Sequence, residues 1–434
     1  MRGGQATAEG RRYRGLVGLL TAEGIGLAGT RLSMIAIPWF VITTTGSAVL
    51  TGVVAFAEAA PYVVAKALGG PLIDRLGARR VAVAGDLAGM AAVAAIPLLY
   101  AAGVLELPVL LALVALLGLC RGPADGAKKT LIPDVVTRAR VPMERATGLS
   151  GTLERLASTV GAAAGGAVVA AVGPLTALVV NAATFALAPA IVRLTVPVRR
   201  AGVADGGGYL AQLRGGVAFL RRERLLRSLA GMIAVTNLLE AAMFSVLLPV
   251  WAHSTGHGPV MVGVLAGSSA AAAIGSSLLA SMLAHRLPRR ATYLVSFLVA
   301  GAPRFVVLAL DVPLPVIVAV WVAGGLGQGF LNPIIWAVIF ERIPRDLLGR
   351  VQSLITSLAW AGIPAGPPVA GVLIGAVGLS PVLVCFGLVF LAVTILPGLQ
   401  PEWARMSRPR EFSGVAPVHA GAGVASPGSA TVEG

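Results

Sequence analysis

Charge is what this chain has least of. Aspartate, glutamate, lysine and arginine make up 12% of its 434 residues, about half the roughly 25% share found in soluble domains. The only two cysteines, Cys120 and Cys385, fall in or near apolar runs and read as packing residues, which excludes a disulfide-held secreted scaffold. No G-x-x-x-x-G-K-[ST] loop occurs, so ATP is not expected to drive anything here. Four histidines are scattered, and His253 and His257 have no third ligand nearby. No metal site, no nucleophile constellation and hence no enzyme activity is expected. The apolar stretches lack the apolar/polar alternation of a membrane β-barrel.

Apolar length is what the chain has instead. Hydrophobic residues make up 56% of it, and runs of about 20 residues, enough to cross a bilayer as a helix, recur from end to end. Twelve spans are predicted, at 15–44, 48–69, 81–101, 107–127, 146–172, 174–193, 228–250, 259–284, 291–310, 313–340, 351–376 and 380–398. Arginines precede the first run as in a signal peptide. That run is too long for a signal segment, and no small-residue cleavage site follows it.

The net charge of +15 does not point to nucleic acid, because of where it sits. All lysines and arginines but four (Arg31, Lys66, Arg155 and Arg304) lie at the N-terminus, in the 2–3, 4–5, 6–7, 8–9 and 10–11 connections counted with the span ends beside them (Arg121 and Arg193 included), or in the tail. The positive-inside rule then places both termini and the long middle segment in the cytoplasm. The partners implied are a lipid bilayer and a small molecule, with neither nucleic acid nor ATP.

The sequence also repeats. At an offset of 211, Pro38 falls on Pro249, Gly52-Val53 on Gly263-Val264, Asp74-Arg75-Leu76 on His285-Arg286-Leu287, and Ile132-Pro133 on Ile343-Pro344. After one six-residue deletion the offset becomes 205, and Arg145 falls on Arg350 and Phe185 on Phe390. This divides the chain into a cytoplasmic N-terminus (1–14), a six-span half (15–193), a cytoplasmic linker (194–227), a second six-span half (228–398) and a tail (399–434). In the linker, YLAQLRGGVAFLRRERLLRSL sets arginines between apolar residues at near-helical spacing. It reads either as a helix lying on the membrane surface or as a solvated linker. The tail, rich in Gly, Ala, Ser and Pro, is expected to be disordered.

The 2–3 connection reads GGPLIDRLGARR, with Gly70, Asp74, Arg75, Gly77, Arg79 and Arg80 filling a G-x-x-x-D-R-x-G-x-R-R pattern. In this, and in its span count and repeat, the chain resembles the major facilitator superfamily over nearly its whole length. The resemblance implies that family's all-α fold of two pseudo-symmetric six-helix halves, in the inner cell membrane, as a monomer. TTTGSAVLTGVVAFAEAAPY, IPDVV, LVVNAATFAL, Asn332-Pro333 and ERIPRDLLGRVQS are similar to the bacterial drug:proton antiporters, the group of macrolide-efflux proteins and the enterobactin exporter. That group's fifth-span glycines are present as Gly161, Gly165 and Gly166, with Ala162 in place of the proline. The second half carries Gly366, Pro367 and Gly371 at the matching place.

The resemblance implies that Asp74 meets the start of span 11 near Arg350 and latches the cytoplasmic side shut. An anion at a helix N-terminus gains roughly 0.3–1 kcal/mol when exposed. Without the latch, Asp74 would only balance Arg75. Arg121 resembles the family's fourth-span arginine, with Asp125 as its expected partner.

Ionisable residues inside spans cost at least about 2.5–3.5 kcal/mol each and are functional candidates by default. Arg31 and Glu58 share mid-depth, and Glu23 and Lys66 lie nearer the cytoplasm, so the depths allow two cross-helix ion pairs. Glu58 is the first candidate for a proton carrier, the alternative being a static salt bridge. Glu240 has no charged counterpart in the first half and reads as a lone acid for a proton or a cationic substrate. Arg304 reads as structural. Trp39, Asn237, Asn332, Trp336 and Trp360 are candidates for the cavity wall, with packing as the other use. The function expected is proton-coupled export of an amphipathic small molecule. An importer or uniporter on the same fold, or a receptor that does not transport, are the alternatives.

Overall fold

A computed structural model describes residues 2–196, 219–283, 288–343, 348–399 and 403; among them every regular element is a helix. Twelve helices are long and apolar enough to cross a membrane. They are span 1 (Tyr13–Thr45), span 2 (Ala48–Leu68), span 3 (Ala78–Ala101), span 4 (Leu107–Ala139), span 5 (Gly148–Val172), span 6 (Pro174–Thr195), span 7 (Arg224–Ser254), span 8 (Gly258–Ala280), span 9 (Arg289–Ala309), span 10 (Leu314–Leu331), span 11 (Leu354–Val377) and span 12 (Leu379–Leu399). Most of the linker and of the tail lies outside the described residues, as do His285 and Arg286.

Span 4 differs most from its predicted bounds, running on to Ala139. Hydropathy fades after Arg121, but Pro123 and Pro133 are accommodated within the helix, as membrane helices tolerate when neighbours satisfy the freed carbonyls. It ends where Arg140 turns left-handed at φ 51°.

Spans 1, 5 and 6 pack together, span 2 lies on span 4, and span 3 on spans 4 and 6. Raising each number by six describes the second half: 7 with 11 and 12, 8 with 10, and 9 with 10 and 12. The sequence repeat is thus a repeat of packing. The halves meet along a seam where span 5 lies on span 8 and span 2 on span 11, two contacts that are themselves equivalent under the repeat. The interruptions, in contrast, all fall in the second half. Span 7 holds a π turn at Met243–Leu247, span 9 breaks at Gly301, and span 11 tightens to a 3-10 turn at Ile363–Ala365.

The side of the molecule that carries the 2–3 connection is here the loop face, and the opposite side the far face. Span 11 meets span 2 chiefly through its far half, Gly366–Val377. Span 1 meets span 7 chiefly through Met243–Leu247 and Leu248–Ser254, again at the far face. The seam is therefore closed at the far face and parted toward the loop face.

Candidate seam and intramembrane charge site

The loop-face connection is a helix of its own. Gly70–Leu76 forms two turns and ends at Gly77, whose φ of 86° suits only glycine and whose N–H donates to the Ile73 carbonyl. Arg79 donates to the Arg193 carbonyl at the end of span 6, fixing the connection to its own half. Asp74, Arg75 and Arg80 are exposed. Asp74 makes no hydrogen bond or ion pair among the described residues; the contact expected near Arg350 involves side chains outside the described residues.

The charges inside spans 2, 3 and 4 form one connected group. Glu58, Tyr62 and Lys66 stand at i, i+4 and i+8 on span 2, hence on one helix face. Arg121 and Asp125 stand at i and i+4 on span 4. The two helices press backbone to backbone at Gly118 and Gly122: a Cβ on Gly122 would lie 2.6 Å from the Tyr62 carbonyl oxygen and 2.7 Å from the Lys66 nitrogen, and one on Gly118 would overlap the Glu58 carbonyl. That approach is what brings the charges together. Arg121 Nη1 pairs with Glu58 Oε1 at 3.1 Å, the side chains being 7% and 20% exposed. Tyr62 Oη donates to Asp125 Oδ2 at 3.2 Å, and Lys66 Nζ donates to Tyr62 Oη at 3.1 Å. Asp125 also lies 4.0 Å from Lys128 Nζ, which pairs at 2.8 Å with Asp86 of span 3.

Both pairs allowed by depth are corrected here. Glu58 pairs with Arg121 and not with Arg31, because spans 2 and 4 approach more closely on the face that carries Glu58. Asp125, expected to pair with Arg121, joins Tyr62 and Lys128 instead. Arg31 Nη2 donates to Ser158 Oγ of span 5 at 2.7 Å. Glu23 takes no lysine either: Ser150 Oγ lies 2.9 Å from both of its carboxylate oxygens. Nor is Glu240 a lone acid. It pairs with Arg304 of span 9, whose guanidinium carbon also lies 5.7 Å from the Trp321 ring centroid.

The glycines of spans 5 and 11 are placed equivalently. Gly161 and Gly165 seat span 5 on span 1, at the Arg31 stem and at Leu32 and Ile35. Gly166 faces Pro259 and Gly263 of span 8 across the seam. In the second half Gly366 seats span 11 on span 7 at the Leu238 carbonyl, and Gly371 faces Ala48 of span 2 across the seam, with Pro367 presenting its carbonyl to Gly52. Ala162, in the place of the group's proline, lends its carbonyl to the contact with Gly263.

Of the cavity-wall candidates, Trp360 faces the seam, stacked on Tyr62 at 6.2 Å between centroids. Trp39 is buried at the far face, edge-on to His253 at 5.9 Å. Asn237 Nδ2 donates to the Ala359 carbonyl, tying span 7 to span 11. Asn332 and Trp336 lie on the span 10 helix, with side chains outside the described residues. The sequence reading missed Tyr62, Lys128 and Asp86. Its available signals were the Gly118-x-x-x-Gly122 pattern, a known close-approach motif in membranes, and the i, i+4 spacing on both helices.

A family model described as Major Facilitator Superfamily matches the chain twice, over residues 19–239 and 230–414. The protein named multidrug efflux pump Tap from Mycobacterium tuberculosis is 34% identical over 397 residues, covering 87% of this chain and 93% of its own. Its namesake from Mycolicibacterium fortuitum is 30% identical over 86% of this chain and 93% of its own. Among solved structures, the nucleoside transporter NupG superposes with a TM-score of 0.71 at 14% identity, over 88% of this chain and 98% of its own. A bacterial homolog of the human lysosomal transporter Spinster, in an inward-facing and unoccupied conformation, gives 0.71 at 15% identity, over 92% and 98%.

Proposed function

The chain belongs to the major facilitator superfamily, and on that premise we propose that it exports an amphipathic small molecule against a proton gradient by alternating access. It does so as a monomer in the cytoplasmic membrane, with its loop face inward, without a cofactor and without ATP. The names of the relatives support export. The arginine-rich loop face supports the orientation, and makes the parted seam of this structure an inward-facing state.

The observation that carries the coupling is the Glu58–Arg121 pair. It lies at mid-depth, one helical turn from Tyr62, whose ring meets Trp360 across the seam, and the carboxylate is its more exposed member. A proton on Glu58 cancels the charge that holds Arg121. The guanidinium must then find other acceptors or water, which differ between the inward and outward states. Such differential interaction in two states is what coupling requires. Tyr62 and Asp125 continue the polar path from Glu58 toward the loop face, where water enters.

In proteoliposomes with an imposed pH step, Glu58→Gln is expected to abolish accumulation of a fluorescent amphipathic dye while leaving gradient-free exchange partly intact. Glu58→Asp retains some accumulation. Undiminished accumulation by Glu58→Gln would move the carrier to Glu23 or Glu240. Accumulation in the opposite direction would favour an importer.

A further inference from the structure

Lys66, on span 2, has no carboxylate within ion-pair reach among the described residues; Arg31 has none either, but its guanidinium is tied to Ser158 Oγ and the Met34 sulfur. Arg121 has Glu58, and Lys128 has Asp86 and Asp125. In the second half Arg304 has Glu240. An ammonium carries three donors, and that of Lys66 has one polar partner, the Tyr62 hydroxyl. What compensates it is aromatic. Its nitrogen lies 3.9 Å from the Trp360 ring centroid and 5.2 Å from that of Tyr62. The two rings stand 6.2 Å apart at 25°, one contributed by each half. Such a contact is worth about 0.5–1 kcal/mol when exposed and about 2 or more when desolvated, with Trp the best partner.

We infer that the Tyr62–Trp360 ring pair is a subsite for the cationic group of a substrate, and that Lys66 is its tethered occupant, setting specificity against cations that cannot displace it. The inference rests on the export reading in one respect, that the seam is the substrate's path.

A permanent strut would sit where the halves are already packed. Lys66 bridges them on the parted side, where contacts change as the halves rock. Its four-carbon stem is flexible and its head strongly hydrated, so the ammonium withdraws toward the open loop face at little cost. The rings then stay behind as an electron-rich pair, with Asp125 beside Tyr62 as a nearby anion. That is the chemistry that recognises an alkylammonium or phosphonium group. A cation entering an occupied subsite meets both competition and repulsion from Lys66, so the native chain holds permanent cations weakly.

The test is equilibrium dialysis of tetraphenylphosphonium, a cation with no proton to lose, against the purified full chain in detergent. Lys66→Met is expected to bind it about tenfold more tightly than the native chain, a factor that corresponds to about 1.4 kcal/mol. Lys66→Gln gives the same gain by a second route, should the Met variant fold poorly. Lys66→Arg keeps a tethered cation and stays weak. Adding Trp360→Leu to Lys66→Met removes the gain. The proposal is overturned if neither neutral variant binds more tightly, or if the gain survives Trp360→Leu. Dialysis involves no gradient, so a gain without export leaves the subsite standing, whereas export without a gain removes the subsite alone.

Discussion

On the far side, the seam between the halves is closed by backbone; on the loop side, the halves touch through long side chains. A Cβ on Gly52 would lie 2.5 Å from the Pro367 carbonyl oxygen, one on Gly371 2.6 Å from that of Ala48, and one on Gly166 2.6 Å from that of Pro259. None of these contacts involves a charge. Toward the loop face the described bridges are Lys66 and Tyr62, both meeting the Trp360 ring, beside Glu58, Arg121 and Asp125. One side is held chiefly by shape, with the His253 ring edge-on to Trp39 at its rim. The other is lined by charge. The division places Glu58 and Asp125 toward the side that is parted, and leaves the closed side to re-form chiefly by packing. Small-residue contact gives close approach without a polar group to desolvate, so such a closure opens and re-forms at modest cost.

The most damaging way to break this contrast is to put a side chain into the closed side. In Gly52→Val the new methyl groups meet the Pro367 carbonyl and the Pro368 backbone, neither of which is free to swing aside. The far face is expected to be wedged open and transport lost. Val49, which lies against Gly375 in the native seam, reports this directly. As Val49→Cys it should resist a membrane-impermeant maleimide in the native background and react in Gly52→Val. Protection together with normal transport in the double variant would show that the far seam is looser than its backbone contacts imply.

On the charged side the contrast is sharpened by asking which partner Glu58 feels. Removing one member of a buried pair strands the other, at about 3–5 kcal/mol; with Glu58 partly exposed, Arg121→Leu falls toward the lower figure. In a double-mutant cycle followed by thermal melting of purified protein, Glu58→Gln and Arg121→Gln should be coupled by at least about 1 kcal/mol. Glu58→Gln and Arg31→Gln should be additive within about 0.5 kcal/mol. Coupling to Arg31 instead would restore the pairing read from depth alone.

The source of that misreading is physical. Span count and the division into halves were legible because hydropathy and an offset of 211 are one-dimensional signals, and a membrane fold is largely a one-dimensional problem of depth. Partner choice is not. Each helical residue also has an azimuth, advancing by about 100° per position at 3.6 residues per turn, and two residues at one depth can face different neighbours. Arg31 and Glu58 share a depth, but Arg31 faces span 5 and Glu58 faces span 4. The azimuth was encoded in Gly118-x-x-x-Gly122, which fixes the face span 4 turns to span 2. Glu240 has no charged counterpart through the repeat, since the offset of 211 places it on Gly29. Its partner Arg304 stands on a neighbouring helix, and the repeat does not duplicate charges even where it duplicates packing.

The smallest effect is expected at Asp74, and it tests whether the parted side has a closure of its own. Asp74 is exposed and without a polar partner among the described residues, so Asp74→Asn removes nothing that holds this state together. Its melting behaviour should match the native chain within about 0.5 kcal/mol, as for most surface changes. Closing the loop face would bring the 2–3 connection toward the start of span 11, where a carboxylate gains roughly 0.3–1 kcal/mol from the helix N-terminus, or about a twofold to fivefold shift in the closed population. Turnover should therefore fall by a factor of that order at equal protein level, with substrate binding to the parted state retained. Melting and transport measured on one preparation separate the two contributions. Unchanged turnover would mean that Asp74 only balances Arg75, and a lowered melting point would mean that it supports the state seen here and not the one the latch would close.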